Sequence, residues 1–100
     1  MGWASHYIQK LRAGEMVSFR PHGHSMIGRI ESGQLCTVIP INPAELEVGD
    51  IVLCKVEGNE YLHIVKSIEH GRYQIGNNRG FINGWIGPEY IYGKCVKIEP

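Results

Sequence analysis

The succession of short apolar runs separated by turn-forming residues is the feature that most restricts the fold of this chain. Six runs have the length and composition of β-strands, and stretches rich in Gly, Asn, Pro and Glu separate them. The predicted strands are Met16–Phe19, Leu35–Ile41, Ile51–Val56, Tyr61–Ile68, Arg72–Ile75 and Tyr90–Ile98. The stretch "GNNRGFINGW", residues 76–85, is interpreted as a turn. With 13 glycines for the turns, this pattern favours a small coiled sheet or a partly open barrel over a parallel α/β fold.

One helix is predicted ahead of the strands. Between Trp3 and Ala13 the apolar residues recur at spacings of three and four, and Gly14 follows as a residue that typically ends a helix. A chain of 100 residues is long enough for one hydrophobic core but not for two. We therefore expect a single domain, with an N-terminal helix within residues 1–15 and a β domain over residues 16–100.

Composition and charge argue against several classes of partner. The chain has 10 Lys and Arg against 10 Asp and Glu, so no excess of positive charge attracts nucleic acid or an anionic membrane. Cys36, Cys54 and Cys95 lie far apart in apolar runs, which is typical of reduced core thiols in the cytoplasm. The N-terminal sequence lacks the pattern of a secretory signal, and the run "LCTVIPI" is too short to span a bilayer. A soluble, cytoplasmic protein is expected.

Residues 20–30, "RPHGHSMIGRI", place Ser25 between Gly23 and Gly28. A nucleophilic serine must hold its hydroxyl clear of neighbouring side chains and beside backbone N–H groups that can stabilise an oxyanion. Two flanking glycines permit such a bend. The alternative interpretation is that Ser25 caps a turn or a short helix, which is a common role of serine. A nearby general base would decide in favour of the nucleophile.

The run Tyr61–Ile68 contains two candidate bases. Because side chains alternate along a regular strand, His63 is expected on one face, with Lys66 and Ile68 on the other. At most one of the two bases can then face Ser25. Imidazole, with a reference pKa of about 6.5, accepts a proton at neutral pH, whereas lysine, at about 10.4, must first be buried. His63 is therefore the expected base, with a hydrogen-bonded core histidine as the alternative, and Lys66 is expected at the surface.

Other kinds of site find little support in the sequence. His22 and His24 would lie on the same side of an extended segment, but no third ligand has suitable spacing, so neither a metal nor a cofactor is expected. The stretch "GNNRG" lacks the strand-to-helix context of a phosphate-binding loop. Trp85, Tyr90 and Tyr92 are expected to pack in the core or at a sheet edge, because no basic stripe accompanies them as it does in base-stacking proteins.

Taken in order, these motifs resemble the LexA/signal-peptidase superfamily of Ser–Lys and Ser–His peptidases, from about Met16 to Ile98. The matching residues are Gly23, Ser25, Met26 and Ile30 for the nucleophile box G-x-S-M-x-P-x-I, Gly49-Asp50 for a G-D pair before a strand, His63-Ile64-Val65 for the H-x-V base motif of the endoplasmic-reticulum type, Gly76-Asn77-Asn78-Arg79 for a G-D-N-R box, and Ile91-Tyr92-Gly93-Lys94 for a terminal I-x-G-K. The sequence departs from the pattern at three positions. Gly28 replaces a frequent proline, Asn77 replaces the aspartate, and Asn83 lies near the position of an assisting acidic residue.

The resemblance implies a LexA-like coiled β-sheet and a soluble serine peptidase with a Ser–His dyad. Ser25 would be the nucleophile and His63 the general base. Substrate binding and oxyanion stabilisation would fall to the remaining site residues, which are Gly23, Met26, Asn77 and Asn78. The partner would be a peptide or protein substrate that binds as an extended strand along a sheet edge. The domain would stand alone, without the DNA-binding segment of LexA-type repressors or the membrane anchor of signal peptidases.

The amide at Asn77, in place of the aspartate of the family pattern, favours a second hypothesis. A histidine oriented by an amide lacks the charge stabilisation that a carboxylate gives to the imidazolium. The chain would then be a catalytically inactive relative that keeps the peptide groove, or a homodimer surface, as a binding module in phage or mobile-element regulation. Hydrogen-bond reach between Ser25 Oγ and His63 would favour the peptidase over this binding module.

Overall fold

The computed structural model describes residues 2–100, and it confirms a mainly β fold with one helix. Within these residues the strands form one antiparallel sheet that is not closed into a barrel, with the order β1-β2-β7-β3-β4-β5-β6. The elements are α1 (Ser5–Arg12), β1 (Val17–Phe19), β2 (Leu35–Ile39), β3 (Ile51–Val56), β4 (Asn59–Glu69), β5 (Arg72–Gly76), β6 (Ile82–Ile86) and β7 (Ile91–Glu99). Short 3₁₀ turns occupy Pro43–Glu45 and Pro88–Tyr90.

Helix α1 is shorter than the predicted segment, and it packs against β1 and β7. Ile8 and Leu11 point from it into the core, as their spacing of three residues predicts. Gly14, with φ of +86°, donates its N–H to the Leu11 carbonyl oxygen just beyond the helix end. None of the helices in the described part of the chain has the length and apolar character that a membrane crossing requires.

The central strands bury side chains on both faces of the sheet. The cluster on the helix side includes Leu53, Leu62 and Ile64, whereas Val52 and Val65 belong to the cluster on the opposite side. Strand β3 reads "IVLCKV" without alternation because both of its faces are covered. Although β4 and β5 separate them in the sheet, β3 and β6 are in contact, so the sheet curls over the second cluster. This curl matches the expected coiled sheet.

The interpretation of residues 76–85 as a turn is wrong in its second half, because Ile82–Ile86 forms the edge strand β6. Only Ile86 is buried in this strand, so the alternating burial that identifies a strand from sequence is weak. Gly84 also has a positive φ of +145°, and the pairing of β5 with β6 shifts register between Ile75 and Gly76. Such irregularity is common in edge strands, and it makes them difficult to predict from the sequence.

A β-bulge interrupts the predicted alternation in β4. Val65 pairs with Ile75 and Ser67 pairs with Gln74, which leaves Lys66 without a partner in β5. Beyond the bulge the faces exchange, and Ile68 packs against the same cluster as Val65. The expectation that Ile68 lies on the face opposite His63 is therefore wrong. The alternation holds from Tyr61 to Val65, which is the part that positions His63.

Candidate active site

Ser25 and His63 lie within hydrogen-bond distance, although 38 residues separate them in the chain. Ser25 belongs to the loop between β1 and β2, and His63 belongs to β4. The distance from Ser25 Oγ to His63 Nε2 is 3.2 Å. The structure thus brings together the two residues that the sequence predicts as nucleophile and base.

The loop that carries Ser25 is anchored by buried side chains and by its own hydrogen bonds. Met26 and Ile30 are buried in the helix-side core, and the Ile30 N–H donates to the Met26 carbonyl oxygen. Gly28 has φ of +96°, which proline cannot adopt, and a Cβ at this position would lie 2.8 Å from Asn78 Nδ2. The glycine that replaces the proline of the motif is therefore required by the shape of this loop.

The two asparagines after β5 support the site in different ways. The Asn78 N–H donates to the Ser25 carbonyl oxygen at 3.0 Å, and Asn78 Nδ2 donates to the Ile27 carbonyl oxygen at 2.7 Å. Asn77 Oδ1 instead accepts hydrogen bonds from the backbone N–H groups of Arg79 and Phe81. Asn78 therefore holds the Ser25 loop in place from behind, while Asn77 shapes its own turn and makes no contact with the pair.

His63 is oriented by Asn83, which lies on the edge strand β6. The His63 Nδ1–H donates to Asn83 Oδ1 at 2.8 Å, and only 7% of His63 is exposed. An amide oxygen can only accept, so this bond places the proton on Nδ1 and leaves the Nε2 lone pair facing the Ser25 hydroxyl. The Tyr61 ring stacks on the imidazole with the ring centroids 4.8 Å apart. Sequence reasoning missed the role of Asn83, and the only signal for it was its position in the family pattern.

Burial lowers the pKa of His63 below the ordinary value of 6.5. The hydrogen bond to Asn83 opposes this shift, and the positive charge of Lys66 adds to it. His63 is therefore neutral at neutral pH, as a general base must be. Among the side-chain hydrogen bonds of residues 2–100, Ser25 Oγ takes part only in the one with His63 Nε2, so Lys66 influences the pair through its charge and not through contact.

A groove of about 620 Å³ opens beside Ser25 and His63. Its walls are largely aromatic and aliphatic, and the polar side chains among them include the buried Glu60 and His63. The lining residues are Trp3, Tyr7, Phe19, Arg20, Pro21, His22, Gly23, Ser25, Met26, Ile30, Glu31, Ser32, Glu60, Tyr61, Leu62 and His63. A groove of this size admits several residues of a peptide.

One side of the groove is the edge of β4 that β5 leaves open. Pairing between β4 and β5 begins at Ile64, so residues 59–63 have a neighbouring strand on the β3 side only. Val65 directs its N–H and C=O groups to the β3 side, where they bond Asp50 and Gly49. Because these directions alternate along an antiparallel strand, the N–H and C=O of Leu62 point into the groove. An extended peptide can therefore pair with β4 at this position.

Backbone donors for an oxyanion lie next to the nucleophile. Among the backbone hydrogen bonds of residues 2–100, none uses the N–H of Ser25 or Met26. The Gly23 N–H, in contrast, donates to Ser32 Oγ and is already occupied. Gly23 therefore contributes the shape of the loop, while the N–H groups of Ser25 and Met26 have no backbone acceptor among residues 2–100.

The residues that match the G-D and G-K motifs serve the fold. Asp50 Oδ1 and Lys94 Nζ form an ion pair at 3.4 Å, and Asp50 Oδ2 accepts a hydrogen bond from the Glu47 N–H. The Gly49 carbonyl oxygen accepts from Arg29 Nη2, which links this corner to the Ser25 loop. These contacts join the start of β3 to β7, and Gly49, Asp50, Gly93 and Lys94 do not line the groove.

The remaining candidates of the sequence do not form a second centre. No three His, Cys, Asp or Glu side chains of residues 2–100 come together in a group that could hold a metal ion. His22 lines the groove and His24 is exposed. Burial raises the pKa of Cys36 and of Cys54 to about 12, so both thiols stay protonated and are poor nucleophiles at neutral pH.

A comparison of the sequence with models of known protein families gave no match, and a comparison with curated proteins gave none either.

Proposed function

We propose that this protein is a serine peptidase with Ser25 as nucleophile and His63 as general base. The observation that carries the proposal is the contact of 3.2 Å between Ser25 Oγ and His63 Nε2, with Asn83 bonded to the other imidazole nitrogen. A serine, a base within hydrogen-bond reach and a third group that orients the base are the usual parts of an activated serine nucleophile. The order of motifs, which resembles the LexA/signal-peptidase superfamily, is consistent with this assignment.

Each step of the proposed reaction uses an atom of the site. Ser25 Oγ attacks the carbonyl carbon of a bound peptide while His63 Nε2 takes the hydroxyl proton. The carbonyl oxygen becomes negatively charged and accepts hydrogen bonds from the N–H groups of Ser25 and Met26. When the C–N bond breaks, the imidazolium returns its proton to the leaving amine. Water then hydrolyses the acyl-enzyme by the same route and regenerates Ser25.

The substrate in this proposal is a peptide that binds as an extended strand. The N–H and C=O of Leu62 offer it a pair of backbone hydrogen bonds next to Ser25, and the groove accommodates its side chains. The buried Cys36 and Cys54 and the half-buried Cys95 are free thiols, which fits a reducing compartment, and we propose the cytoplasm.

A second candidate function is peptide binding without hydrolysis. The observation that favours it is Asn83, whose neutral amide stabilises the imidazolium less than a carboxylate does. In this case the groove and the open edge of β4 would hold a peptide that is never cleaved. The reactivity of Ser25 distinguishes the two functions.

The test is labelling with a fluorophosphonate, which reacts with activated serine hydroxyls, followed by peptide mapping. We expect one adduct, on Ser25, that forms in the wild type and is absent in His63→Ala. The matched control is Ser67→Ala, which removes a serine of β4, the strand that carries His63, at a position away from the groove. This mutant should label like the wild type. Labelling that is undetectable in the wild type, or that persists in His63→Ala, would contradict the peptidase proposal, and the former result would favour the binding module.

A further inference from the structure

The N-terminal segment closes the groove at the end opposite Ser25. Trp3 Nε1 donates to the Glu60 carbonyl oxygen at 3.1 Å, so the indole lies across the open edge of β4. The buried Glu60 carboxylate in turn accepts hydrogen bonds from the Ala4 N–H at 2.6 Å and from Ser5 Oγ at 2.7 Å. The segment approaches so closely that a Cβ on Gly2 would collide with this carboxylate. The position of Trp3 is therefore fixed by several specific contacts.

Trp3 ends the row of backbone groups to which a peptide can bind. On an antiparallel strand the residues that face one side alternate, so Glu60 is the next residue after Leu62 on the open edge. Its carbonyl oxygen is already bonded to the indole. A bound strand can pair with Leu62 but cannot extend the same pairing to Glu60. The backbone pairing of a bound peptide is thereby restricted to the few peptide residues that lie between Ser25 and Trp3.

The side chain of the peptide residue that pairs with Leu62 enters a largely apolar space. Residues paired across an antiparallel sheet direct their side chains to the same face, and Leu62 belongs to the helix-side cluster. On that face the groove is lined by Trp3, Phe19 and Met26, and the rings of Trp3 and Phe19 meet edge to face with the centroids 5.6 Å apart. The Glu60 carboxylate also lines this face, but its oxygens are occupied by the Ala4 N–H and Ser5 Oγ, and its charge disfavours an acidic side chain. The indole is still 51% exposed, so a ligand can cover it. This space fits a large apolar side chain better than a small or charged one.

We infer that Trp3 determines specificity at this site: it selects extended peptides with a large apolar side chain at the position opposite Leu62. This inference rests on the proposed function, because it concerns the same groove and the same nucleophile. The indole ring supplies the apolar wall, and the indole N–H ends the backbone pairing. The two roles are separable, since Trp3→Phe keeps a ring and loses the N–H, whereas Trp3→Ala loses both.

The test uses dipeptidyl phosphonate diphenyl esters, in which Ser25 Oγ forms a bond to phosphorus and phenol leaves with the serine proton. Two series are needed, with Gly, Ala, Leu, Phe or Asp at the residue that carries phosphorus or at the residue before it, because the register against Leu62 decides which one faces Trp3. In the wild type we expect Leu and Phe probes to react about 10- to 100-fold faster than Gly or Asp probes at one of these positions. The rate is followed by intact mass.

In Trp3→Ala the advantage of Leu and Phe over Gly should fall below about threefold, while in Trp3→Phe most of it should remain. The control Trp85→Ala removes an exposed tryptophan of β6 outside the groove and should keep the wild-type preference. The rate with a fluorophosphonate, which carries no peptide, should be the same in the wild type and in Trp85→Ala. The peptide-probe rates of each Trp3 variant are divided by the fluorophosphonate rate of that variant, so that any damage to the Ser25–His63 pair does not affect the comparison.

Separate results contradict the two proposals. Fluorophosphonate labelling with the same peptide preference in Trp3→Ala as in the wild type would overturn the role of Trp3 and leave the peptidase intact. A wild type that reacts faster with the Gly or Asp probes than with the Leu or Phe probes would also overturn the role of Trp3 and leave the peptidase intact. A wild type whose Ser25 reacts with no probe would overturn the proposed function and the role of Trp3 together.

Discussion

The two sides of the His63 ring are built in different ways. On the Nε2 side, Ser25 lies on a loop that is fixed by the buried Met26 and by two hydrogen bonds from Asn78. On the Nδ1 side, Asn83 lies on the edge strand β6, in which only Ile86 is buried. The contact between Ser25 and His63 is thus held by a loop with buried anchors. The contact between His63 and Asn83 depends on a strand with little packing of its own.

The largest effect is expected from removal of the nucleophile. Ser25→Ala should abolish labelling and any peptide hydrolysis, because the mutant has no oxygen to attack the carbonyl carbon. The free energy of unfolding should fall by about 1 kcal/mol or less, since the loop keeps its other contacts and only one hydrogen bond is lost. Urea unfolding of the mutant and the wild type measures this difference. A loss above about 3 kcal/mol would show that Ser25 is a structural cap, as in the alternative interpretation of the sequence.

The next effect concerns Asn83. Asn83→Ala should lower the labelling rate of Ser25 by about 10- to 100-fold, because the Nδ1–H loses its acceptor and the imidazole is free to take the wrong tautomer. The single mutant Asn78→Ala serves as the matched control, because Asn78 supports the Ser25 loop whereas Asn83 orients His63. Asn78→Ala should reduce the midpoint of urea unfolding at least as much as Asn83→Ala does, because it removes the side-chain bond to Ile27. Equal labelling rates in the wild type and Asn83→Ala would show that Asn83 does not orient His63.

Asn83→Asp places a negative charge beside His63 Nδ1 and keeps an acceptor there. Only the neutral imidazole accepts the serine proton, so the labelling rate should rise with pH through the pKa of His63, which lies below 6.5 in the wild type. A carboxylate beside Nδ1 stabilises the imidazolium and raises this pKa, so in Asn83→Asp the midpoint should move upward by about one pH unit. Asn83→Asp should therefore label more slowly than the wild type near pH 6 and faster near pH 8. Superimposable pH profiles would contradict the contact between the two residues.

The smallest effect is expected at Lys66. Its positive charge contributes to the lowered pKa of His63, so Lys66→Ala should move the midpoint of the pH profile upward by less than Asn83→Asp does. The rate on the high-pH plateau should stay within about twofold of the wild type, because Lys66 does not touch Ser25. Loss of labelling in Lys66→Ala, together with its retention in His63→Ala, would reassign the base to Lys66.

Local sequence signals predicted the Ser25 side of the site better than the Asn83 side. Gly23 and Gly28 mark a loop around Ser25, and regular alternation up to Val65 places His63 correctly. Asn83 could not be placed from local patterns, because its strand is irregular and was interpreted as part of a turn. Its position depends on the pairing of β6 with β5, which is a non-local property of the sheet.

The helix and the bulge illustrate the same limit. The periodicity of apolar residues predicts α1, but it assigns Trp3 to the apolar face of the helix, whereas the structure places this residue ahead of the helix and across β4. The bulge at Lys66 leaves no mark in the composition of the run, so the exchange of faces at Ile68 could not be foreseen. Both features arise from contacts between residues that are distant in the chain.

The open stretch of β4 has a further consequence for the behaviour of the protein in concentrated solution. Unpaired strand edges are the usual starting points of aggregation, because the strand of a second molecule can add to them and extend the sheet. In this protein the backbone of Leu62, which has no strand partner on this side, lies in a recess between Trp3 and the Ser25 loop, with β5 beginning its pairing at Ile64. Because Trp3 occupies the Glu60 carbonyl oxygen and β5 pairs from Ile64 onward, a second sheet could pair with β4 on this side only at Leu62. In the proposed function, the same restriction admits a short peptide and limits pairing between two copies of the sheet.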